Sequence, residues 1–256
     1  MNSIGFIGVG DLADYTITGL RLGGFTGDIY LSPRNAAMSN RLAQAHRCQV
    51  LKSNQAVVNK SECLIISTRP AHCLEALADL TFEPNQLLVS VVAGMPIADI
   101  QGAVPAGIEI VRAMPINAAQ VGVSPTLIYP NHAGVSDLFN YCGDSVAVNS
   151  EAAFDQGSVL ACVYTWYFSL FEQLIQSTTS KALSQEKAKA LVLGMAKGAA
   201  SLALQKSETS GDIAESIATP GTFSKLGLDV LKDNNAFAPW DEACTLLTER
   251  FTTTKH

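Results

Sequence analysis

The sequence predicts an α/β fold in which a doubly wound parallel sheet is followed by an all-helical second half. Three observations predict it. A glycine turn, Gly8-Val9-Gly10-Asp11-Leu12-Ala13, joins an apolar run to a helical pattern at the very start. Short apolar runs and helical patterns then alternate to about Asn149, as a parallel sheet with crossover helices requires. From Glu151 onward the β pattern all but disappears. The 256 residues suffice for two modest domains, expected at 1–150 and 151–256.

The elements follow in order. Ser3-Ile4-Gly5-Phe6-Ile7-Gly8 reads as a buried strand, and roughly Leu12 to Leu22 as a helix. Ile29-Tyr30-Leu31 is a second strand, ended by Ser32-Pro33-Arg34-Asn35. Cys63-Leu64-Ile65-Ile66-Ser67 is a continuous apolar run, as a strand covered on both faces should be. Thr68-Arg69-Pro70 ends it, and a helix is expected from about His72 to Leu80. Leu87 to Val92 is a strand ending at Ala93-Gly94, and Ile97 to Ala103 a short helix stopped near Pro105. Ile108 to Ala113 is a strand ending at Met114-Pro115, and Thr126–Tyr129 and Ser145–Val148 supply two more. Ligands of such sheets sit beyond the carboxyl ends of the strands. Thr68, Arg69 and Pro70, then Ala93 and Gly94, then Met114, are therefore expected on the ligand side.

The opening turn is what a dinucleotide pyrophosphate needs. Gly8 and Gly10 permit a tight turn and close backbone approach, and the helix beginning at Asp11 and Leu12 offers free N–H groups at its positive dipole end. These features predict a Rossmann-type domain. At the end of the second strand an NAD site expects an acid for the ribose 2′-hydroxyl. This chain has Ser32, Arg34 and Asn35 instead. A hydroxyl and a guanidinium suit a 2′-phosphate, so NADP(H) is expected in preference to NAD(H).

The second half reads as helices. Ala153 to Gln176 is long and apolar, and Ser184 caps a helix running to about Gln205. Ala188, Leu191, Val192, Met195 and Ala199 recur there at helical spacing, with Gly194 and Gly198 permitting close approach. A short helix from Asp212 to Ala218 is broken by Thr219-Pro220-Gly221-Thr222-Phe223-Ser224, and a last one covers about Trp240 to Arg250. With 48% apolar and only 16% charged residues, much surface must be buried, which favours a homodimer through these helices.

Composition excludes several classes. The net charge of −6 and the lack of a Lys/Arg run argue against nucleic acid. The nearest thing to a membrane span, Gln156 to Phe171, is uncharged but short and partly polar, and reads as a buried helix. Met1-Asn2-Ser3 lacks a basic leader, and Cys48, Cys63, Cys73, Cys142, Cys162 and Cys244 are scattered without a C-x-x-C pair. Reduced thiols and a cytoplasmic setting are expected. His46, His72, His132 and His256 show no metal-ligand spacing, so no metal site is expected.

Several stretches together resemble the pyrroline-5-carboxylate reductase family. Ile4 to Gly10 looks like its opening strand, and Thr68-Arg69-Pro70 like its V-K-P stretch. Leu88 to Gly94 is similar to its I-S-x-x-A-G strand, Arg112-Ala113-Met114-Pro115 matches R-x-M-P, and Thr219-Pro220-Gly221 resembles its S/T-P-G stretch. The resemblance implies an N-terminal NAD(P) domain, a helical dimerisation domain, and hydride transfer to the carbon of a cyclic C=N bond, giving proline. Family dimers often assemble further into rings, with the active site at the dimer interface.

The departures are informative. The family follows Met-Pro with N-T-P-A, whereas this chain has Pro115-Ile116-Asn117-Ala118-Ala119, displacing the Asn by one. The family's S-G-S-G-P-A-Y turn, which helps hold the substrate carboxylate, is replaced by Ala161-Cys162-Val163-Tyr164-Thr165-Trp166-Tyr167. An uninterrupted helix there would commit its N–H groups to its own carbonyls and leave no anion nest. The hydroxyl that lies near the imine nitrogen in the family falls on Ser224.

Imine reduction needs a hydride from the cofactor and a proton donor near the nitrogen. Ser224 is the candidate to hold the nitrogen, and Tyr164 and Tyr167 are candidate donors. The two tyrosines, with Phe168 and Phe171 beside them, equally describe a helix-packing stripe. Asn117 is a candidate nicotinamide contact, and Arg69 a partner for cofactor phosphate or substrate carboxylate. Two alternatives stand beside proline formation: reduction of a bulkier or carboxylate-free imine, and NADP(H) binding without turnover.

Overall fold

The computed structural model describes residues 1–253. One compact unit comprises residues 1–161 with residues 250–253, and a second comprises residues 162–249.

The first unit holds a sheet of eight strands among the described residues. The chain runs β1 (Ser3–Ile7), α1 (Asp11–Leu22), β2 (Asp28–Leu31), α2 (Ala36–His46), β3 (Gln49–Val50), α3 (Asn54–Val58) and β4 (Cys63–Ile66). It continues with a 3-10 turn, Pro70–His72, then α4 (Cys73–Ala78), β5 (Leu87–Ser90), α5 (Ile97–Gln101) and β6 (Glu109–Met114). A second 3-10 turn, Asn117–Val121, precedes β7 (Thr126–Tyr129), α6 (Ala133–Phe139) and β8 (Ser145–Ala147). The strand order is β3-β2-β1-β4-β5-β6-β7-β8. The order therefore reverses between β1 and β4, the topological switch point where doubly wound sheets bind ligands.

Alternate side chains of the strands enter two separate cores. Ile4, Phe6, Ile65 and Val89 join one apolar cluster, while Ile7, Leu64, Ile66 and Leu88 join the other. Both faces are covered, which is why these strands read as unbroken apolar runs.

The sheet is predominantly parallel, as expected, with one antiparallel pair: β7 runs against β6 (Arg112 opposite Tyr129). A parallel return needs a crossover helix of a dozen or more residues, and only a 3-10 turn separates Met114 from Thr126. Helices α2, α3 and α6 and strand β3 go beyond the expected elements. They are short and partly exposed, and their register is set by caps such as Asn35, Ser53 and His132.

Helix α7 (Glu151–Thr178) runs 28 residues without interruption, and the boundary between the units falls within it. The second unit continues with α8 (Gln185–Gln205), α9 (Ser210–Ile217), α10 (Phe223–Asp233) and all but the last turn of α11 (Ala238–Thr253). Ser184 caps α8 as expected, and Thr209 with Asp212 forms a capping box on α9. The Thr219–Ser224 break is shorter than expected, because Thr222 caps α10 and Ser224 lies in its first turn.

Candidate dinucleotide site

A cavity of about 460 Å³ opens at the switch point, lined by Gly8, Val9, Gly10, Arg34, Asn35, Ser67, Thr68, Arg69 and His72. The glycine turn makes its floor. Gly8 has φ +89°, and a Cβ there would stand 2.9 Å from the Ser67 carbonyl oxygen. Only glycine tolerates both conditions. Gly10 is needed for the opposite reason: a Cβ built on it would meet no protein atom within 4 Å and would project into open space.

Gly10 is the N-cap of α1 and offers no capping side chain. The first N–H groups of α1, on Asp11 and Leu12, thus have no intrahelical partner and sit at the positive end of the helix dipole. An uncapped helix start behind a bare glycine fits a pyrophosphate, which supplies the acceptors the protein withholds.

The loop is held from beneath. The Gly8 N–H donates to Ser32 Oγ at 3.1 Å, and the Ser67 hydroxyl donates to the Gly8 carbonyl. Asn35 Nδ2 donates to the Val9 carbonyl at 2.9 Å, while Asn35 Oδ1 caps α2. Ser32 is buried, and its carbonyl accepts from the Ser39 hydroxyl. Ser32 and Asn35 thus shape the turn, whereas Arg34 lines the cavity without bracing it. Arg34 and Arg69 are exposed, and neither guanidinium makes a hydrogen bond or ion pair among the described residues.

Thr68 Oγ1 is buried and makes no hydrogen bond. The Cys73 thiol approaches it without meeting hydrogen-bond geometry. An orphaned hydroxyl at the edge of a cavity is a polar atom awaiting a partner. Val9, Ser67 and His72 also line the cavity; no motif signal marks them beyond adjacency to Gly8 and Thr68.

Other candidates lie elsewhere in the first unit. Pro70 opens the 3-10 turn after Arg69. Ala93 and Gly94 follow β5, with Gly94 at φ +69°. The Val91 N–H donates to Ile66 O, so this loop continues the sheet edge beside Ser67 and Thr68. Met114 ends β6, half-buried, and Asn117 is exposed at the start of the second 3-10 turn.

Arg112 is almost wholly buried, with its Nη1 2.8 Å from Glu151 Oε1 and 2.9 Å from Asp155 Oδ1. Its guanidinium lies 4.3 Å above the Phe154 ring. The first residue of the R-x-M-P motif therefore anchors α7 to the sheet.

In the second unit the candidate residues fall in two places. Ser224 is exposed in the first turn of α10. Tyr164 meets Phe168 edge-on at 5.2 Å, and Tyr167 stacks on Phe171 at 6.4 Å and meets Trp240 at the same distance. Burial raises the Tyr164 phenol above its usual pKa. Segment 161–167 is continuous helix, so its backbone offers no anion nest. Among the described residues no group of three His, Cys, Asp or Glu is placed to hold a metal; His256 lies outside them. No described helix is long and apolar enough to cross a membrane.

Comparison with known proteins agrees across both halves. Residues 151–253 match the family described as pyrroline-5-carboxylate reductase dimerisation, and residues 3–94 match that described as NADP oxidoreductase, coenzyme F420-dependent. The chain is 28% identical to pyrroline-5-carboxylate reductase of Pseudomonas aeruginosa, covering 96% of this chain and 94% of that one. It is 29% identical to the Mycobacterium tuberculosis H37Rv protein of the same name, over 81% and 76% of the two chains. The fold is shared with the Streptococcus pyogenes enzyme (TM-score 0.87, 23% identity, 98% of each chain). It is also shared with the Plasmodium falciparum pyrroline carboxylate reductase solved with NADP bound (TM-score 0.85, 20% identity, 97% and 96%). A dimerisation domain of that name over residues 151–253, an NADP oxidoreductase domain ahead of it and relatives that span most of the chain make it similar in both halves to pyrroline-5-carboxylate reductases.

Proposed function

We propose that this protein is an NADP(H)-dependent reductase of pyrroline-5-carboxylate, forming proline. The observation that carries the reading is the bare, uncapped turn at Gly8–Gly10, set at the switch point with two unpaired arginines at its rim. Its relatives bear the same activity in their names.

Bound NADPH supplies the hydride for the C=N carbon. The chain does the rest. Asp11 and Leu12 N–H groups bind the pyrophosphate, with Thr68 Oγ1 as an added donor. Arg34 takes the 2′-phosphate, which favours NADP(H) over NAD(H). Ala93, Gly94, Met114 and Asn117 line the nicotinamide end, and Arg69 neutralises phosphate or substrate carboxylate. Ser224 holds the imine nitrogen by hydrogen bond. Tyr164 and Tyr167 are the proposed proton donors; neither phenol oxygen has a hydrogen-bond partner among the described residues.

The second unit exposes Leu191, Met195, Leu204, Leu226 and Val230 in the single chain. Such a surface belongs against another subunit, so the C-terminal helices are the proposed dimer interface, and further assembly into a ring is compatible with it. All six thiols are free, which fits a reducing, cytoplasmic compartment.

The test is oxidation of NADPH with pyrroline-5-carboxylate, run beside carboxylate-free 1-pyrroline. Turnover of about 1 s⁻¹ or faster on the carboxylate substrate is the expected result. Turnover of 1-pyrroline alone would overturn the proline assignment, and NADPH binding without turnover of either would overturn the enzyme reading.

A further inference from the structure

Glu151 joins three elements of the first unit. It is the first residue of α7. Its Oε1 accepts from Arg112 Nη1 on β6 at 2.8 Å, and the same oxygen accepts from the Ile97 N–H at 2.8 Å. Ile97 opens α5, whose N-cap is Pro96. Proline has no side-chain acceptor, so the first free N–H of α5 needs a cap from elsewhere. Glu151 provides it across 54 residues of sequence.

The segment so tied matters because of what precedes it. Residues 91–96 leave the carboxyl end of β5, turn through Gly94 at φ +69°, and enter α5. At the start of that segment the Val91 N–H donates to the Ile66 carbonyl on β4, next to the cavity-lining Ser67 and Thr68. One end of the loop is thus fixed to the cofactor side of the sheet, and the other to Glu151. Asp155 makes a useful contrast. It lies one helical turn on, shares Arg112 through a 2.9 Å contact, and makes no hydrogen bond to the loop among the described residues.

Resting on the cofactor reading above, we infer that Glu151 is a positioning residue for the nicotinamide cofactor, acting through the Ile97 N–H to fix the Ala93–Gly94 loop. Asp155 shares its structural duty toward Arg112 and lacks this one. The distinction separates cofactor positioning from simple stability.

The experiment measures the NADPH dissociation constant by fluorescence titration, with thermal unfolding in parallel, for the full-length wild type, Glu151→Ala, Glu151→Gln and Asp155→Ala. Both alanine variants lose one carboxylate of the Arg112 clamp, so both unfold at lower temperature. Glu151→Ala is expected to weaken NADPH about tenfold, since an N–H left uncapped frees the loop. Asp155→Ala and Glu151→Gln stay within about threefold of wild type, the glutamine because its carbonyl still caps Ile97. Equal weakening by Glu151→Ala and Asp155→Ala, or no rescue by glutamine, overturns the inference. If Glu151→Ala fails to fold, Ile97→Pro takes its place, since proline suits the first position of a helix, removes the N–H and leaves the Arg112 clamp intact: NADPH binding weakened about tenfold supports the inference, and wild-type binding overturns it. A wild type that does not bind NADPH overturns the cofactor reading itself, and this inference with it.

Discussion

Arg112 Nη1 lies 2.8 Å from Glu151 Oε1, which places a buried guanidinium of the sheet against the first residue of the long helix. Asp155, four residues on, forms an ion pair with the same nitrogen at 2.9 Å. Two carboxylates at that spacing on one helix face repel each other unless a cation stands between them. Arg112 is 1% exposed while Glu151 and Asp155 are 30% and 21% exposed, so solvent carries part of the carboxylate charge. Replacing Arg112 by Met is therefore expected to cost about 2–4 kcal/mol, toward the lower part of the range for a broken buried pair. Urea unfolding measures it. A loss under about 1 kcal/mol would show that the clamp contributes no more than a surface ion pair.

The two turn glycines separate folding from binding. Gly8→Ala puts a Cβ 2.8 Å from Thr68 Cγ2 at φ +89°, and should destabilise the protein by about 1–3 kcal/mol. Gly10→Ala meets no protein atom. Its expected effect on stability is under about 1 kcal/mol, while NADPH binding should weaken at least about tenfold because the methyl enters the pyrophosphate's space. Unfolding curves and NADPH titrations on both variants should show opposite rank orders.

Arg34 tests the cofactor preference. It is exposed and has no ion pair among the described residues, so Arg34→Ala should leave unfolding unchanged. A charge-assisted contact to the 2′-phosphate is worth about 1.5–3 kcal/mol, so the Kd for NADPH should rise roughly tenfold or more. The Kd for NADH, which lacks that phosphate, should stay the same. Equal losses for both cofactors would assign Arg34 to the pyrophosphate instead.

Legibility in the sequence followed the physics of each element. Strands such as Cys63–Ile66 were plain because both faces are buried, so every residue is apolar. Helix α2 was obscure because only Ser39 and Leu42 are fully buried on it, which leaves little periodic signal. The antiparallel turn of β7 depends on the length of the link from Met114, which an apolar run does not encode. At the site, the glycine turn was legible because backbone geometry restricts its residue types. The roles of Ser32 and Asn35 were not, because a hydroxyl and an amide suit a phosphate or a buried carbonyl equally well. Only the fold turned Ser32 inward to Gly8 and Asn35 to Val9. Arg112 was read through its motif, and its partner carboxylates lie about forty residues away, beyond any local pattern.

Burial makes the core thiols a pH-dependent element of stability. Cys48 and Cys73 are pushed up to about 11, and Cys63 and Cys142 to about 12, from an ordinary 9.0. Above pH 9 the unfolded chain has released these protons while the folded chain retains them. The folded state then binds more protons, so stability is intact below pH 9 and falls as pH rises toward 11 and 12. Each thiol contributes a slope approaching about 1.4 kcal/mol per pH unit. A thiol-disulfide reagent at pH 8 should leave these four unreacted in the native protein and label all six after denaturation. Native labelling of Cys63, which is 0% exposed, would contradict the packing.

The apolar surface of α8 gives the oligomer its own test. Leu191 is 49% and Met195 69% exposed in the single chain, one helical turn apart, so together they form a stripe that water would otherwise wet. A carboxylate at either position costs the isolated chain little, because the side chain reaches solvent. In an apolar subunit interface the same charge loses its hydration without gaining a partner, at roughly 2 kcal/mol or more. Met195→Glu and Leu191→Glu should each raise the dimer dissociation constant by about thirtyfold or more, with helical circular dichroism unchanged. Sedimentation velocity at micromolar concentration would show a shift from dimer toward monomer. A variant that remains as tightly associated as the wild type would place the interface elsewhere on the helical unit and leave this stripe without a subunit to cover it.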